Sequence, residues 1–159
     1  MYALPPHESH GVRLRVDGDW PAMLELWVEA WRETYPEIDF EARRDWLLRH
    51  VSALEAQGSE TFCLYDSTPA LAGFVVINPT TGWLDQICVS PRHFGSDAGG
   101  TLLAAARNVS PGLIRLDVNA DNARALRFYE RDGFMRVGRG ANTLSGRETI
   151  MMEWRAAAP

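Results

Sequence analysis

From Gly11 to Val16 the segment "GVRLRV" alternates apolar and charged residues, the period of a half-exposed strand. The period then changes. In "DGDWPAMLELWVEAWRETYP", Trp20, Leu24, Trp27, Val28 and Trp31 return at helical spacing, with Asp19 placed as N-cap, Pro21 in the first turn and Pro36 as the stop. A second helix is predicted from Phe40 to about Gln57, with Phe40, Leu47, Val51 and Leu54 as its apolar stripe and Gly58 as C-terminal cap. "ETFCLYD" and "ALAGFVVIN", parted by "STP", predict an antiparallel hairpin, and "WLDQICVSP" a third strand closed by Pro91. A glycine-rich bend then opens a helix from about Ala98 to Asn108, which Pro111 and Gly112 break. "LIRLDV" reads as a strand, "DNARALRFYERDGF" as a short helix stopped at Gly133, and "MRVGR" and "ETIMMEW" as two last strands.

The predicted order is strand, two helices, three strands, helix, strand, helix, two strands, without internal repeat or linker. It predicts one α+β (mixed α/β) domain over residues 1–159, with a core of about 12–154. A chain of 159 residues buries roughly 68–70% of its unfolded surface, enough to stand without disulfide or metal. Cys63 and Cys88 sit in apolar, strand-like runs and read as small buried hydrophobes, which suits a reducing compartment. The opening "MYALPPHESHG" has no basic segment followed by an apolar one, and no run approaches ~18 apolar residues. A soluble, cytoplasmic protein with no membrane partner is expected.

Charge narrows the partners. The formal net charge is −5, and all 16 basic residues are arginine. An acidic chain without basic clusters argues against nucleic acid and is compatible with a cationic small molecule or a basic peptide. The absence of lysine excludes a Schiff base and a phosphate-loop lysine.

The bend "PRHFGSDAGGTLLAAAR" carries the first candidate chemistry. The first amides of a helix lack intrahelical partners and sit at the positive end of its dipole, so a phosphate is stabilised there. Gly95, Gly99 and Gly100 keep side chains away, yet Asp97 stands among them. Two readings remain open: a working phosphate loop with the Asp97 side chain turned to water, or a helix start that Asp97 caps itself. "GSDAGG" is not G-x-G-x-x-G, and no alternating strand and helix series surrounds it, which excludes a dinucleotide-binding domain.

In "DNARALRFYERDGF", Asn122, Ala125 and Tyr129 fall on one helix face, and Arg124, Arg127 and Arg131 on another. The first face reads either as a ligand surface or as core with the phenol at its edge, the second as a phosphate-binding or merely solvated stripe. On "LDQICV", strand alternation puts Asp85 and Val89 on a common face. His7, His10, His50 and His93 show no paired metal-ligand spacing and read as unrelated, so no metal is expected. Ser90, Ser96 and Ser110 lack a nucleophile-elbow pattern.

The element order and two local motifs resemble the GNAT superfamily of acyl-CoA-dependent N-acyltransferases, from about Val12 to Trp154 and most strongly from Trp83 to Phe134. "LDQICVSP" resembles the family's central strand. "VNADNARALRFYERDGF" resembles its closing motif N-x-x-A-x-x-F-Y-x-x-x-G-F, which Asn122, Ala125, Phe128, Tyr129, Gly133 and Phe134 all match. The bend matches the family's pyrophosphate loop in part: Phe94 replaces its leading Arg or Gln and Asp97 its first glycine, while Gly99 keeps the second.

The resemblance implies a central mixed, mostly antiparallel sheet of about seven strands with helices on both faces. It implies acetyl-CoA as co-substrate, held by Ile87, Cys88 and Val89, by the loop Gly95, Ser96, Asp97, Ala98, Gly99, Gly100 and Thr101, and by Asn122 and Tyr129. The Asn122 side chain would bond the pantetheine arm, and the Tyr129 hydroxyl would lie near the sulfur. Arg124, Arg127 and Arg131 would meet the 3′-phosphate. Asp85 is the candidate proton acceptor, and Trp31 and Tyr35 are candidate walls of a pocket for a small-molecule or peptide amine. A homodimer is compatible with the sequence. The rival expectation, motivated by Phe94 and Asp97, is a GNAT-like domain that binds a ligand or partner without catalysing.

Overall fold

The computed structural model describes residues 11–157 and sets the elements in the predicted order. They are β1 (Val12–Leu14), α1 (Trp20–Thr34), α2 (Arg44–Ala56), β2 (Glu60–Tyr65), β3 (Leu71–Ile77), β4 (Leu84–Val89), α3 (Ala98–Val109), β5 (Leu113–Asn119), α4 (Ala123–Arg131), β6 (Met135–Ala141) and β7 (Glu148–Arg155). His7 and His10 lie outside the described residues. The seven strands form two antiparallel sheets, ordered β1-β2-β3-β4 and β5-β7-β6.

The sheets meet at one parallel bridge among the described residues, Trp83 to Arg115, where the Arg115 N–H donates to the Gly82 carbonyl at 2.8 Å. Beyond it no ladder joins β4 to β5, so β4 has a free edge facing a cleft. The direction of that edge follows from the register. Ser90 donates its N–H to the Ala72 carbonyl at 2.8 Å, and hydrogen-bonding groups alternate along an antiparallel strand. Gln86 and Cys88 therefore turn their backbone groups to β3, and Ile87 and Val89 turn theirs to the cleft.

Helices cover both faces. "LAGFVVI" has no polar position, and as β3 it is buried throughout. Its Phe74 and Val76 pack with Trp27, Leu47 and Val51 of α1 and α2. Its Val75 and Ile77 pack with Leu102 and Leu103 of α3, Leu126 and Tyr129 of α4, and Ile114 and Leu116 of β5. At ~25 cal/mol per Å2 of apolar surface, such two-sided burial dominates the stability of the fold. No helix among the described residues is long and apolar enough to cross a membrane.

Three local expectations change. Asp19 occupies the N-cap position of α1, but its carboxylate makes no cap bond. It accepts instead from the Arg13 guanidinium at 2.7 and 2.8 Å, from the Val16 N–H at 2.8 Å and from the Tyr65 hydroxyl. A buried carboxylate with these donors gains more than one serving a helix end already supplied with Pro21. The second helix opens with a 3-10 turn over Glu41–Arg43, and its regular part starts at Arg44. The first strand closes at Leu14, earlier than the predicted Val16, although the Arg15 N–H still donates to the Thr61 carbonyl of β2 at 2.9 Å.

Candidate functional site

Two cavities flank the free edge of β4. The larger, about 550 Å3, lies between β4, the bend before α3, and α4. Ile87, Cys88 and Val89 line it from the strand, Gly95, Ser96 and Gly99 from the bend, and Asn122, Ala125 and Tyr129 from α4. The three α4 residues share a face as their spacing predicts.

At the bend, Thr101 is the first residue of α3 with a helical bond, to the Asp97 carbonyl at 2.9 Å, and the Ala98 N–H is taken by Ser96 Oγ at 3.2 Å. The amides of Asp97, Gly99 and Gly100 find no acceptor among the described residues. Gly95 turns the chain at φ +79°, a region that L side chains rarely adopt. The Asp97 carboxylate makes no cap bond and is exposed, so the capping reading is set aside. It borders a separate depression with Val12, Leu14 and Phe62, whereas Gly95, Ser96 and Gly99 face the cleft. Ala98 is buried, and Gly100 and Thr101 border the depression with Asp97, so these three do not line the cavity.

Arg124, Arg127 and Arg131 all line the larger cavity, and none pairs with a carboxylate among the described residues. Arg124 lies 4.1 Å above the ring of Phe94, so the residue that replaces the family's Arg or Gln supports a cation instead of being one. Asn122 caps α4, its Oδ1 accepting from the Ala125 N–H at 3.2 Å, which leaves its amide nitrogen without a partner among the described residues. The Tyr129 ring packs edge-on against Phe128 and Phe134, and its hydroxyl has no bonding partner there. Burial pushes that phenol above its ordinary value, and the neighbouring Cys88 adds to the shift.

The smaller cavity, about 390 Å3, lies between α1, α2, β4, β5 and the segment before β7. Its walls are rings: Trp27, Trp31, Tyr35, Phe40, Trp46 and Trp83. Trp31 also lines the larger cavity, so the two spaces share one side chain. Trp31 stacks on Tyr35 at 5.8 Å, and Tyr35 donates its hydroxyl to Asp121 at 2.6 Å. Burial first and then this bond push the Tyr35 phenol up to about 12. Arg147 lies 4.5 Å over the Tyr35 ring and bonds Asp121 and Glu37, which fastens the 142–147 segment to the end of α1.

Asp85 lines this smaller cavity and Val89 the larger, so the expected common face is not observed. Val76 pairs with Gln86 but Ile77 with Leu84, and the slip leaves Asp85 as the extra residue of a bulge that re-aims its side chain. Asp85 meets His50 Nε2 at 2.6 Å, the Trp83 indole N–H at 3.1 Å and the Gln86 amide at 3.2 Å. His50 stacks on Trp46 at 4.5 Å. His50 is thus not an isolated histidine; its i, i+4 spacing from Trp46 was visible in the sequence, but its partner 35 residues away was not. Asp117, which keeps contact with solvent, also lines the cavity; desolvation raises its carboxyl above the ordinary value, and the Asp85 charge adds to this. His93, the other described histidine, bonds Asp66 at 3.0 Å and holds the bend against the β2–β3 turn.

The model of the acetyltransferase (GNAT) family matches residues 20–134. The chain belongs to that family. Its fold resembles a GCN5-related N-acetyltransferase from Rhodopseudomonas palustris (TM-score 0.74, 18% identity, covering 91% of this chain and 94% of that one). It also resembles the PaiA N-acetyltransferase from Thermoplasma acidophilum in complex with coenzyme A (TM-score 0.72, 20% identity, 91% and 99% covered). A nourseothricin acetyltransferase is 29% identical over 62% of this chain and 65% of its own, at TM-score 0.56. No curated protein matches the chain. The seven-stranded α+β architecture is that of the GNAT family.

Proposed function

We propose that this GNAT protein transfers the acetyl group of acetyl-CoA to a primary amine by direct attack, without an acyl-enzyme. One observation carries the reading: a cavity lined at a helix start and by arginines that have no carboxylate partner among the described residues meets, at Trp31, a cavity lined by rings and the carboxylates of Asp85 and Asp117. The first suits an anionic ligand and the second a cationic one.

In this reading the pyrophosphate sits on the bend between Gly95 and Thr101, with the Gly99 amide, which has no acceptor among the described residues, as its donor. Arg124, Arg127 and Arg131 take the 3′-phosphate, and the pantetheine runs along the β4 edge past the Asn122 amide. The cleft-facing N–H of Ile87 or Val89 polarises the acyl carbonyl, as an oxyanion donor does. The Tyr129 hydroxyl donates to the sulfur as its C–S bond breaks. The acceptor enters beside Trp31 and Tyr35, and the six rings favour an ammonium carried on an apolar, ring-bearing body.

Calorimetry with acetyl-CoA and a thiol-release assay over an amine panel test this. The panel is spermidine, 2-phenylethylamine, L-phenylalanine and a tetrapeptide with a free N-terminus. Acetyl-CoA binding with acetylation of 2-phenylethylamine above spermidine is expected. Binding without transfer to any amine would favour a non-catalytic domain, and no binding would end the proposal.

A further inference from the structure

The smaller cavity holds a side-chain pair, His50 and Asp85, of which the family resemblance uses Asp85 alone, as the candidate proton acceptor. We propose that His50, oriented by Asp85, is the group that takes the proton from the acceptor ammonium, and that Asp85 is its positioning residue. This rests on the acetyl transfer proposed above.

The tautomer follows from the bonding. The Asp85 carboxylate is acceptor-only, so the His50 nitrogen 2.6 Å from its Oδ1 must carry the hydrogen: Nε2–H donates to Asp85. The other nitrogen, Nδ1, keeps its lone pair and makes no hydrogen bond among the described residues. Ring orientation is fixed twice more. Trp46 stacks flat on the imidazole, interplanar angle 13°, and the Trp83 indole and Gln86 amide hold the carboxylate. Gln86 is itself held by the Trp27 indole N–H at 3.3 Å. The imidazole is 28% exposed, and that exposure opens on the cavity it lines.

A base on this side of the strand is where the reaction needs one. The thioester lies by Ile87 or Val89, and Asp85 is two residues before Ile87, roughly 7 Å along the strand. In the proposed step the acceptor's proton passes to Nδ1 directly or through water. His50 takes H+ from R–NH3+, giving R–NH2 and an imidazolium stabilised by the Asp85 charge. The freed lone pair attacks the acyl carbon, the C–S bond breaks with its electron pair going to sulfur, and the attacking nitrogen loses its second proton as the amide forms. That proton neutralises the thiolate, and the imidazolium returns its own to solvent.

The titratable and charged groups facing His50 from the elements around it are Asp85 of β4, Asp117 of β5, Tyr35 after α1, Arg43 before α2 and Arg147 before β7. Arg147 is neutralised by Asp121 and Glu37, and Arg43 stands over the Phe40 ring.

The test is kcat/KM against pH from 6 to ~10, with the best acceptor of the amine panel, for the wild type, His50→Gln and Asp85→Asn. For His50→Gln we expect a loss of about 10²-fold at neutral pH, narrowing as pH rises and the acceptor deprotonates unaided, with acetyl-CoA affinity unchanged. For Asp85→Asn we expect a smaller loss and an acidic limb displaced to lower pH, because the imidazolium has lost its counter-charge. A His50→Gln deficit that is absent, or constant with pH, overturns the proposal. So does an Asp85→Asn variant that loses the acidic limb while His50→Gln keeps it, which would make Asp85 the base. A wild type that binds no acetyl-CoA withdraws the transferase reading, and the dyad with it. One that transfers normally while His50→Gln matches it withdraws the dyad alone.

Discussion

The ring of Phe128 fills the space above Gly99: a Cβ built there would stand 2.9 Å from two of its ring carbons. Gly99 therefore does two things at once, leaving its amide open to the cleft and letting α4 close on α3. Gly99→Val is expected to lower stability by about 1–3 kcal/mol as well as raise KM for acetyl-CoA. Adding Phe128→Leu separates the two. Thermal unfolding should recover in the double variant while KM stays raised, and a KM that recovers too would move the pyrophosphate elsewhere.

Asp97 points away from the cleft and caps nothing. Asp97→Asn is expected to leave acetyl-CoA affinity within about twofold by calorimetry and to change stability by no more than the ~0.3–1 kcal/mol of a charge at a helix start. Tightening by tenfold, or ~1.4 kcal/mol, would place the carboxylate beside the phosphates.

Arg124 and Arg127 predict a preference for the 3′-phosphate. Wild-type protein should bind CoA more tightly than dephospho-CoA, and the double change of Arg124 and Arg127 to Gln should abolish that difference. An unchanged ratio in titrations of the two ligands would return this stripe to solvent.

For Tyr129 the buried phenol is a weaker acid than usual. In the proposed transfer it serves, neutral, as a hydrogen-bond donor to the developing thiolate and not as a full proton donor. Tyr129→Phe should cut kcat by roughly 10²-fold, the cost of one such donor, with acetyl-CoA affinity within a few fold. Since the hydroxyl has no partner among the described residues, denaturant unfolding should be nearly unaffected. Full kcat in the variant would make the residue purely structural.

Asp19 predicts how stability responds to acid. Its carboxyl is held below the usual range first by the Arg13 guanidinium, against the opposing effect of burial, with Tyr65 and the Val16 amide adding to it. A depressed folded-state pKa gives stability that is present above the unfolded value of ~3.9 and lost as pH falls toward the folded one. Asp19→Asn should be destabilised by ~1–3 kcal/mol at pH 7 in urea. The gap from wild type should shrink from about pH 4 downward, and a gap independent of pH would assign the loss to packing.

The fold was legible because period and punctuation agree along the chain. "LAGFVVI" has no polar position, as a strand buried on both faces requires, and Pro36, Gly58, Pro91, Pro111, Gly112 and Gly133 fall at element ends. The lining of the larger cavity was legible because its residues are local in sequence: a bend, and one helix face with Asn122, Ala125 and Tyr129. The lining of the smaller one was not, since it joins His50 on α2 to Asp85 on β4 and Arg147 before β7. The bulge hid it further. Strict alternation sends Asp85 to the side of Val89, and one extra residue reverses that. Asp19 misled for a related reason, because its position is that of a cap while its partners, Arg13 and Tyr65, come from two strands.

Trp31 is the one ring common to both cavities among the described residues, and in the proposed reaction it would give the two ligands a means of sensing each other. A ligand that settles against one side of the indole limits the positions open to the ring on the other, so filling either space prepares or narrows its neighbour. Steady-state kinetics should then show interdependent Michaelis constants and intersecting double-reciprocal lines, the behaviour of a ternary complex. Replacing Trp31 by Ala should uncouple the two constants while leaving the distant Asp19 and Arg13 clasp untouched.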